Sequence, residues 1–215
     1  MADGEPLDPI VGALPDRRRR RHEGTKNEIL ETAWALARRE GIGALSLREL
    51  AEAVGMKAPS LYTYFPSKQS IYDAMFAQGW RLLLERVKVL EPNLPQDEHL
   101  KAESLRTEAR DFFAFCTEDP ARYQLMFQRP MPGFVPSPEA YASSEEVFDR
   151  LRGRFARLGL DDDAIELWTF LMTGITARQI ANEPGGDRYL PYLDELVDMF
   201  VAHVELQTKG KGRKR

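Results

Sequence analysis

Residues 46–68 read SLRELAEAVGMKAPSLYTYFPSK and contain the strongest structural signals in the chain. Ser46 and Glu49 have the spacing of a capping box, and apolar residues then recur at helical intervals as far as Gly55, where a glycine typically ends a helix. A second, short helix is predicted to begin at about Pro59, because proline is tolerated in a first turn. Two helices joined so tightly must cross steeply.

The short second helix has distinct sides. With about 100° of rotation per residue, Leu61 and Phe65 share one side and must pack inward. Pro59 and Thr63 then lie on the opposite side. The flanks carry the hydroxyl-bearing side chains Ser60, Tyr62 and Tyr64. A short helix with small polar and tyrosine residues facing outward is suited to a groove.

Helical patterns continue on both sides of this pair. Thr25 and Glu28 form another capping box and predict a first helix from Thr25 to Gly41. Ser67 is expected to cap a long fourth helix that runs to about Glu91. Further helices are predicted near residues 98–117, 120–128, 140–158, 163–181 and 188–206. No segment alternates as a strand does, so the fold class is all-α with about nine helices.

One long connection interrupts the helices of the C-terminal part. Residues 129–138, RPMPGFVPSP, contain four prolines and cannot be helical. Their apolar side chains predict either a lid or a packed connection rather than a free linker.

Composition excludes several classes of protein. The chain has 215 residues, 43% of them hydrophobic, with a net charge of −4 and a single cysteine, Cys116. One cysteine and three scattered histidines give neither a disulfide framework nor metal-ligand spacing. No apolar run is long enough to span a membrane, and the acidic, proline-broken start does not resemble a signal peptide. We therefore expect a cytoplasmic protein without metal or cofactor.

Charge is unevenly distributed. Basic residues outnumber acidic ones within residues 16–68 and in the tail 207–215, while the remainder is acidic. A steeply crossed helix pair with basic flanks is typical of a helix-turn-helix, whose second helix enters the DNA major groove. An ordinary helix pair of an all-α protein remains the alternative from pattern alone.

Residues 25–72 resemble the N-terminal domain of the tetracycline-repressor (TetR) family of bacterial transcriptional regulators. The similarity runs through Leu45–Ala51 and Val54–Met56, and most clearly through Ser60–Lys68. It implies a three-helix DNA-binding head on a helical body that binds ligand and dimerises. Residues 119–127 and 167–174 look like a C-terminal domain subtype of actinobacterial members.

The resemblance assigns roles to individual head residues. It implies that Arg48 touches phosphate or a base edge, that Thr63 reaches bases, and that Lys68 contacts phosphate. Ala58 stands where some members carry a polar base-reading side chain, so Lys57 becomes the nearest long donor. The full predicted DNA-binding set is Arg48, Lys57, Ala58, Pro59, Ser60, Tyr62, Thr63, Tyr64 and Lys68.

Domain boundaries follow from these assignments. Residues 1–23 are predicted to form a flexible basic arm, 24–70 the DNA-binding domain, 71–207 the ligand-binding and dimerisation domain, and 208–215 a disordered basic tail. The arginines at 17–21 are consistent with minor-groove contact and equally with a solubilising run. For the tail, a solvated segment is favoured over non-specific DNA attraction.

The body is rich in aromatic and methionine side chains, which suit a cavity for an apolar or aromatic ligand. The predicted ligand-binding set is Phe112, Phe115, Tyr123, Met126, Phe127, Trp168 and Met172. Possible orienting groups are Arg110, Arg122, Gln124, Thr173 and Arg178. The alternative for each aromatic residue is simple core packing.

The last two long helices carry apolar residues on more than one face. A homodimer that pairs them with their symmetry mates in a four-helix interface, as the resemblance implies, would bury this surplus. Burial within one subunit is the alternative. Two recognition helices would then read a palindrome with half-sites about 34 Å apart. A ligand among Phe112, Tyr123, Phe127 and Trp168 would shift the helix beside the fourth one and move the heads out of register.

The sequence thus predicts a TetR-like regulator, in the first instance a repressor that a small ligand releases from operator DNA. A constitutive DNA-binding protein without an inducer is the alternative. A helical-bundle enzyme is disfavoured, because paired Glu-x-x-His motifs, nucleophile–base arrangements and a glycine-rich phosphate loop are all missing from the sequence.

Overall fold

The computed structural model describes residues 13–95 and 101–212, with side chains from 17 to 207 outside the gap. The chain divides into two compact units between Ile71 and Tyr72. The first unit contains α1 (Ala13–Glu40), α2 (Leu47–Ala53), α3 (Ala58–Leu61) and the start of α4 (Lys68–Leu90). The second contains the rest of α4, α5 (Lys101–Glu118), α6 (Pro120–Tyr123), α7 (Pro138–Arg157), α8 (Asp162–Asn182) and α9 (Leu193–Gly212). These described residues contain no strand, as the sequence predicts.

Local signals place α2 and α3 as predicted. The Ser46 side chain accepts a hydrogen bond from the backbone N–H of Glu49 and caps α2. Gly55 adopts φ +74°, and the N–H of Met56 reaches back to the carbonyl of Ala51 at 2.7 Å. This is the Schellman arrangement, in which a glycine in the left-handed region satisfies the last carbonyls of a helix. It fixes the tight turn between the two helices.

A single apolar core holds the first unit together. The predicted stripe on α1, including Ile29 and Ala33, is fully buried, and Leu50 of α2 is buried as well. Leu61 and Phe65 are only 1% and 6% exposed, which confirms that this side of the short helix faces inward. Tyr62 and Thr63, which lie between them, are exposed to solvent.

The predicted start of the first helix is wrong. α1 begins at Ala13, not at Thr25, and so includes the arginines 17–21 that were predicted to be a flexible arm. Thr25 does not cap a helix; its hydroxyl donates to the carbonyl of Arg21 within α1. Arginine and glutamate are good helix formers. Pro15 lies in the first turn of α1, where proline is tolerated, and a helix accepts Gly24 at a modest cost. Residues 1–12 lie outside the described part.

Helices α5, α7, α8 and α9 supply the core of the second unit. Phe155 is fully buried, and its ring packs against Trp168 and Phe200 with centroids 6.0 and 6.4 Å apart. Leu105 of α5 and Val197 of α9 are fully buried in the same cluster. This core fixes one side of the helices that surround the cavity described below.

The connection before α7 is a packed segment, one of the two predicted alternatives. A π-helical turn at Gln124–Gln128 ends in Arg129, which has φ +47°. Phe134 is 7% exposed and packs edge-on against the ring of Tyr72. Ser137 caps α7 and binds Asp73 through both its N–H and its hydroxyl, at 2.7 Å each. The connection is therefore anchored to α4.

The C-terminal helix extends further than predicted. The backbone of α9 is helical to Gly212, so 208–212 are not the disordered tail that the sequence suggested, and 213–215 lie outside the described residues. Glycine and lysine can prolong a helix that packing already holds upstream. Among the described residues, no helix is long and apolar enough to cross a bilayer.

Candidate nucleic-acid interface and ligand cavity

The candidate DNA-binding surface is the outer side of α3 and the turn that follows it. Ser60, Tyr62 and Thr63 are all exposed, and Tyr62 exposes 51% of its surface although it is a large aromatic residue. The buried residues Leu61 and Phe65 alternate with them and hold the segment in place. An exposed tyrosine with hydroxyl neighbours can donate to phosphate oxygens or base edges.

The α-helical part of this segment is shorter than the predicted recognition helix. α3 ends at Leu61, and the chain continues as a tight turn in which the N–H of Thr63 bonds to the carbonyl of Ser60 at 3.2 Å. Such bonds between residues three apart tighten the last turn of a helix. Thr63 therefore stands at the C-terminal end of the segment.

The other predicted contacts are distributed around α2 and α3. Arg48, Lys57, Ala58 and Pro59 are exposed, and Lys57 precedes α3 as its N-terminal flanking residue. Lys68 is half-buried at the first position of α4. The structure thus leaves each of these side chains at the surface of the first unit, and DNA contact by them stays a prediction.

Sequence reasoning missed a contact that reaches this surface from α1. The imidazole of His22 stacks on the ring of Tyr64, with centroids 4.8 Å apart and an interplanar angle of 23°. Tyr64 is accordingly half-buried, unlike Tyr62. His22 directly follows the arginines 17–21, which are exposed. The stack fixes the arginine-bearing turns of α1 against the segment that carries Thr63.

The second unit contains a cavity with about 830 Å³ of empty space, its open mouth included. Its wall is built from α4, α5, α7, α8 and the π-helical turn. The apolar and aromatic lining residues are Trp80, Leu83, Val87, Leu90, Leu94, Phe112, Phe127, Val147, Phe148, Leu151, Trp168 and Met172.

Four of the seven predicted ligand-binding residues line this cavity: Phe112, Phe127, Trp168 and Met172. Phe127 is central among them, because its ring meets those of Phe112 and Trp80 with centroids 5.6 and 5.2 Å apart. The aromatic rings thus form a continuous wall. Ligand binding by these residues stays a prediction.

The other three predicted residues, Phe115, Tyr123 and Met126, do not line the cavity and belong to the packed core. The Phe115 ring lies 3.8 Å from the guanidinium of Arg122. Tyr123 donates its hydroxyl to the carbonyl of Thr173 at 2.9 Å. Met126 packs so closely on α4 that a Cβ at Gly79 would lie 2.8 Å from its sulfur. In each case the side chain contacts neighbouring protein groups and not the cavity.

Of the predicted orienting groups, only Thr173 lines the cavity. Arg110 forms an ion pair with Asp194, and Arg122 donates to the carbonyl of Phe115. The guanidinium of Arg178 lies over the ring of Tyr189, 5.2 Å from its centroid. Gln124 starts the π-helical turn outside the cavity wall.

The polar part of the wall consists of ion pairs that the sequence did not reveal. Arg154, on α7, donates to Glu108 at 2.8 Å and also to the hydroxyl of Ser104. Arg150 donates to Glu91 at 2.9 Å. Burial raises the pKa of the Glu108 carboxyl, although the charge and hydrogen bond of Arg154 act in the opposite direction.

The sequence also did not indicate that α4 and α7 supply much of the cavity wall. Trp80, Leu83 and Val87 recur at intervals of three and four on α4, and Phe148 and Leu151 do so on α7. This spacing was visible as an apolar stripe on each helix. It could not show which stripe faces a cavity and which one faces a packed neighbour.

Comparison with known proteins identifies the first unit. Residues 29–75 match the family model for bacterial regulatory proteins of the tetR family. The HTH-type transcriptional regulator Rv1816 of Mycobacterium tuberculosis is 24% identical over 139 residues, which cover 65% of this chain. The match spans 57% of that relative's length.

Solved structures share the fold over most of the chain. The regulatory protein SCO4313 superposes with a TM-score of 0.68 at 19% identity, covering 86% of this chain and 98% of that one. A TetR variant from Acinetobacter baumannii, solved in complex with minocycline, superposes with a TM-score of 0.54 at 18% identity, covering 84% and 96%. The curated relative and the first of these structures are both named as regulators. The chain therefore carries, at residues 29–75, the N-terminal domain of the TetR family of bacterial regulatory proteins.

Proposed function

We propose that the protein is a transcriptional repressor that binds palindromic operator DNA as a homodimer and is released by a small apolar or aromatic ligand. The observation that carries the proposal is the pairing of an exposed helix-turn-helix surface in one unit with an aromatic-lined cavity in the other. A constitutive DNA-binding protein would need no such cavity. The proposed role of the cavity is therefore effector binding.

The DNA-binding role rests on exposure and chemistry. Tyr62 and Thr63 present exposed hydroxyl groups, and Arg48 and Lys57 are exposed cations of the same unit. Hydroxyls and cations are the side chains that most often contact phosphates, and arginine or lysine can also bind guanine edges in the major groove. The arginines 17–21, held by the His22–Tyr64 stack, would add attraction to flanking phosphates.

The dimer rests on apolar side chains that the single chain leaves uncovered. Phe170 on α8 is 65% exposed, and Met199 on α9 is 62% exposed. Leu167 and Leu206 are also exposed on these two helices. Most other apolar residues of α8 and α9 are buried within the subunit, so only this remaining face needs a partner. A two-fold related copy would cover it.

Helix α4 supports the proposed coupling between ligand and DNA. It begins at Lys68, in the DNA-binding unit, and its later turns contribute Trp80, Leu83 and Val87 to the cavity wall. A ligand that displaces these residues would move a helix that is continuous with the head.

Selection of bound sequences from a random DNA pool tests the proposal. We expect the purified protein, at a fixed salt concentration, to enrich a palindrome with half-sites about one helical turn apart. Enrichment of a single non-repeated site would contradict the dimeric mode of binding. A folded protein that enriches nothing, even after unfolding and refolding to remove bound molecules, would contradict operator recognition.

Two substitutions in the head should have different effects on the selected operator. Thr63→Ala is expected to change the preferred bases and to cost roughly 1–3 kcal/mol of binding free energy. Lys68→Ala should weaken binding to all sequences and reduce the slope of log affinity against log salt by about one. Fluorescence anisotropy with operator and scrambled duplexes measures both effects.

Thr107→Ala is the matched control, because Thr107 is an exposed threonine on α5 in the second unit. It should leave affinity and base preference unchanged. If Thr63→Ala behaves like this control, the turn after α3 does not read bases.

A further inference from the structure

One donor in the cavity wall lacks a hydrogen-bond partner. The indole nitrogen of Trp80 is buried and binds no acceptor in the described part of the chain. Trp80 itself is 4% exposed, and the rings of Phe127 and Phe148 lie 5.2 and 5.9 Å from its ring. A buried N–H without a partner is destabilising, so native proteins rarely retain one without a reason. An acceptor brought by a ligand would supply the missing bond.

The charged groups of the wall, by contrast, already have partners. Glu108 accepts from Arg154, and Asp111 accepts from Arg86 at 2.8 Å. Glu91 accepts from Arg150, and a second guanidinium binds its other oxygen. An ionic ligand would compete with these internal pairs or enter an aromatic cavity without a counterion, and both are costly.

The threonine hydroxyls of the wall are also engaged as donors. Thr169 donates to the carbonyl of Ile165 at 2.8 Å, and Thr173 donates to that of Thr169 at 2.7 Å. Neither hydroxyl proton is available to a ligand without loss of its helix bond. A ligand acceptor can therefore bind the N–H of Trp80 without breaking an existing hydrogen bond.

We propose that the cavity selects an uncharged, ring-containing molecule that carries a carbonyl or ether oxygen, and that this oxygen accepts a hydrogen bond from the indole N–H of Trp80. The inference rests on the proposed effector-binding function and adds the chemical class of the effector. The aromatic wall binds the ring system, and the Trp80 N–H fixes its orientation. The paired charges discriminate against ionic molecules of the same shape.

Four naphthalene probes with one variable substituent test this specificity: 2-acetylnaphthalene, 2-ethylnaphthalene, 2-naphthoate and the 2-naphthylmethylammonium ion. Isothermal titration calorimetry on the full chain gives the Kd of each probe. We expect both uncharged probes to bind at least about tenfold more tightly than either ion, because an unpaired ion is costly to bury.

Trp80→Phe removes the N–H and keeps an aromatic ring. It should raise the Kd of 2-acetylnaphthalene relative to that of 2-ethylnaphthalene by about three- to tenfold. This is the range expected for the loss of one hydrogen bond. Phe112→Leu is the matched control, because Phe112 lines the cavity but has no donor. It should weaken both uncharged probes equally and leave their ratio unchanged.

The possible outcomes separate the inference from the function on which it rests. Tighter binding of either ion, or an unchanged ratio in Trp80→Phe, would overturn the inference while the cavity remains a binding site. If the ratio of the acetyl and ethyl Kd values changes in Trp168→Phe and not in Trp80→Phe, the hydrogen bond belongs to the other indole of the wall. That result would overturn the role of Trp80. Failure of all four probes to bind would count against the effector cavity itself, and the inference would fall with it.

Discussion

Replacing Arg154 with methionine is expected to lower the free energy of unfolding by about 3–5 kcal/mol, the cost of breaking a buried ion pair from one side. The Arg154 side chain is only 4% exposed and donates to Glu108 at 2.8 Å. Methionine fills similar space but leaves the Glu108 side chain, which is 20% exposed, without its counterion. Urea denaturation of the purified proteins measures the difference.

The loss should depend on pH with a defined sign. Burial already raises the pKa of Glu108 in the folded protein, and removal of Arg154 raises it further. The folded variant then holds a proton at pH values where the unfolded chain has lost it. The variant therefore becomes more stable as pH falls from the raised pKa of Glu108 toward the usual carboxyl range. Its loss of unfolding free energy relative to the wild type should be smaller at about pH 5 than at about pH 8.

Arg152→Met is the matched control for this experiment. Arg152 lies on the same helix, but its side chain is 58% exposed and pairs with Asp149, whose side chain is 72% exposed. Surface pairs of this kind contribute about 0–1 kcal/mol, so the control should unfold almost as the wild type does at both pH values. Equal losses in the two variants would contradict the structural role assigned to the Glu108–Arg154 pair.

The sequence predicted the head well because its signals are local. Ser46 and Gly55 act through hydrogen bonds to residues at most five positions away, and the burial of Leu61 and Phe65 follows from helical spacing alone. The start of α1 was predicted wrongly for a related reason. A Thr-x-x-Glu spacing at Thr25 is equally compatible with a helix interior, and nothing local distinguishes the two cases.

The cavity was predicted less completely because its geometry depends on contacts that are distant in the sequence. An α-helix would place Tyr123, Met126 and Phe127 on one face. The π-helical turn at Gln124–Gln128 is wider, so Phe127 reaches the cavity while Met126 packs against α4. The pairing of Glu108 with Arg154 joins residues 46 positions apart and leaves no periodic signal.

The proposed dimer can be tested at the exposed apolar face of α8 and α9. Phe170→Asp combined with Met199→Asp is expected to raise the dimer Kd by at least about a hundredfold, because a two-fold interface would bury each new charge twice without a partner. Both side chains are more than 60% exposed in the subunit, so the fold itself should tolerate the change. Sedimentation velocity measures the mass, and circular dichroism checks the fold.

Loss of the dimer should also abolish tight operator binding, since one head alone contacts a single half-site. Val135→Asp is the matched control: Val135 is 78% exposed, but it lies in the connection before α7 and belongs to neither helix of the proposed face. The control should remain a dimer and bind the operator as the wild type does. If the α8–α9 double variant also remains a dimer, the subunits must associate through another surface, and the exposed Phe170 and Met199 would need a different explanation.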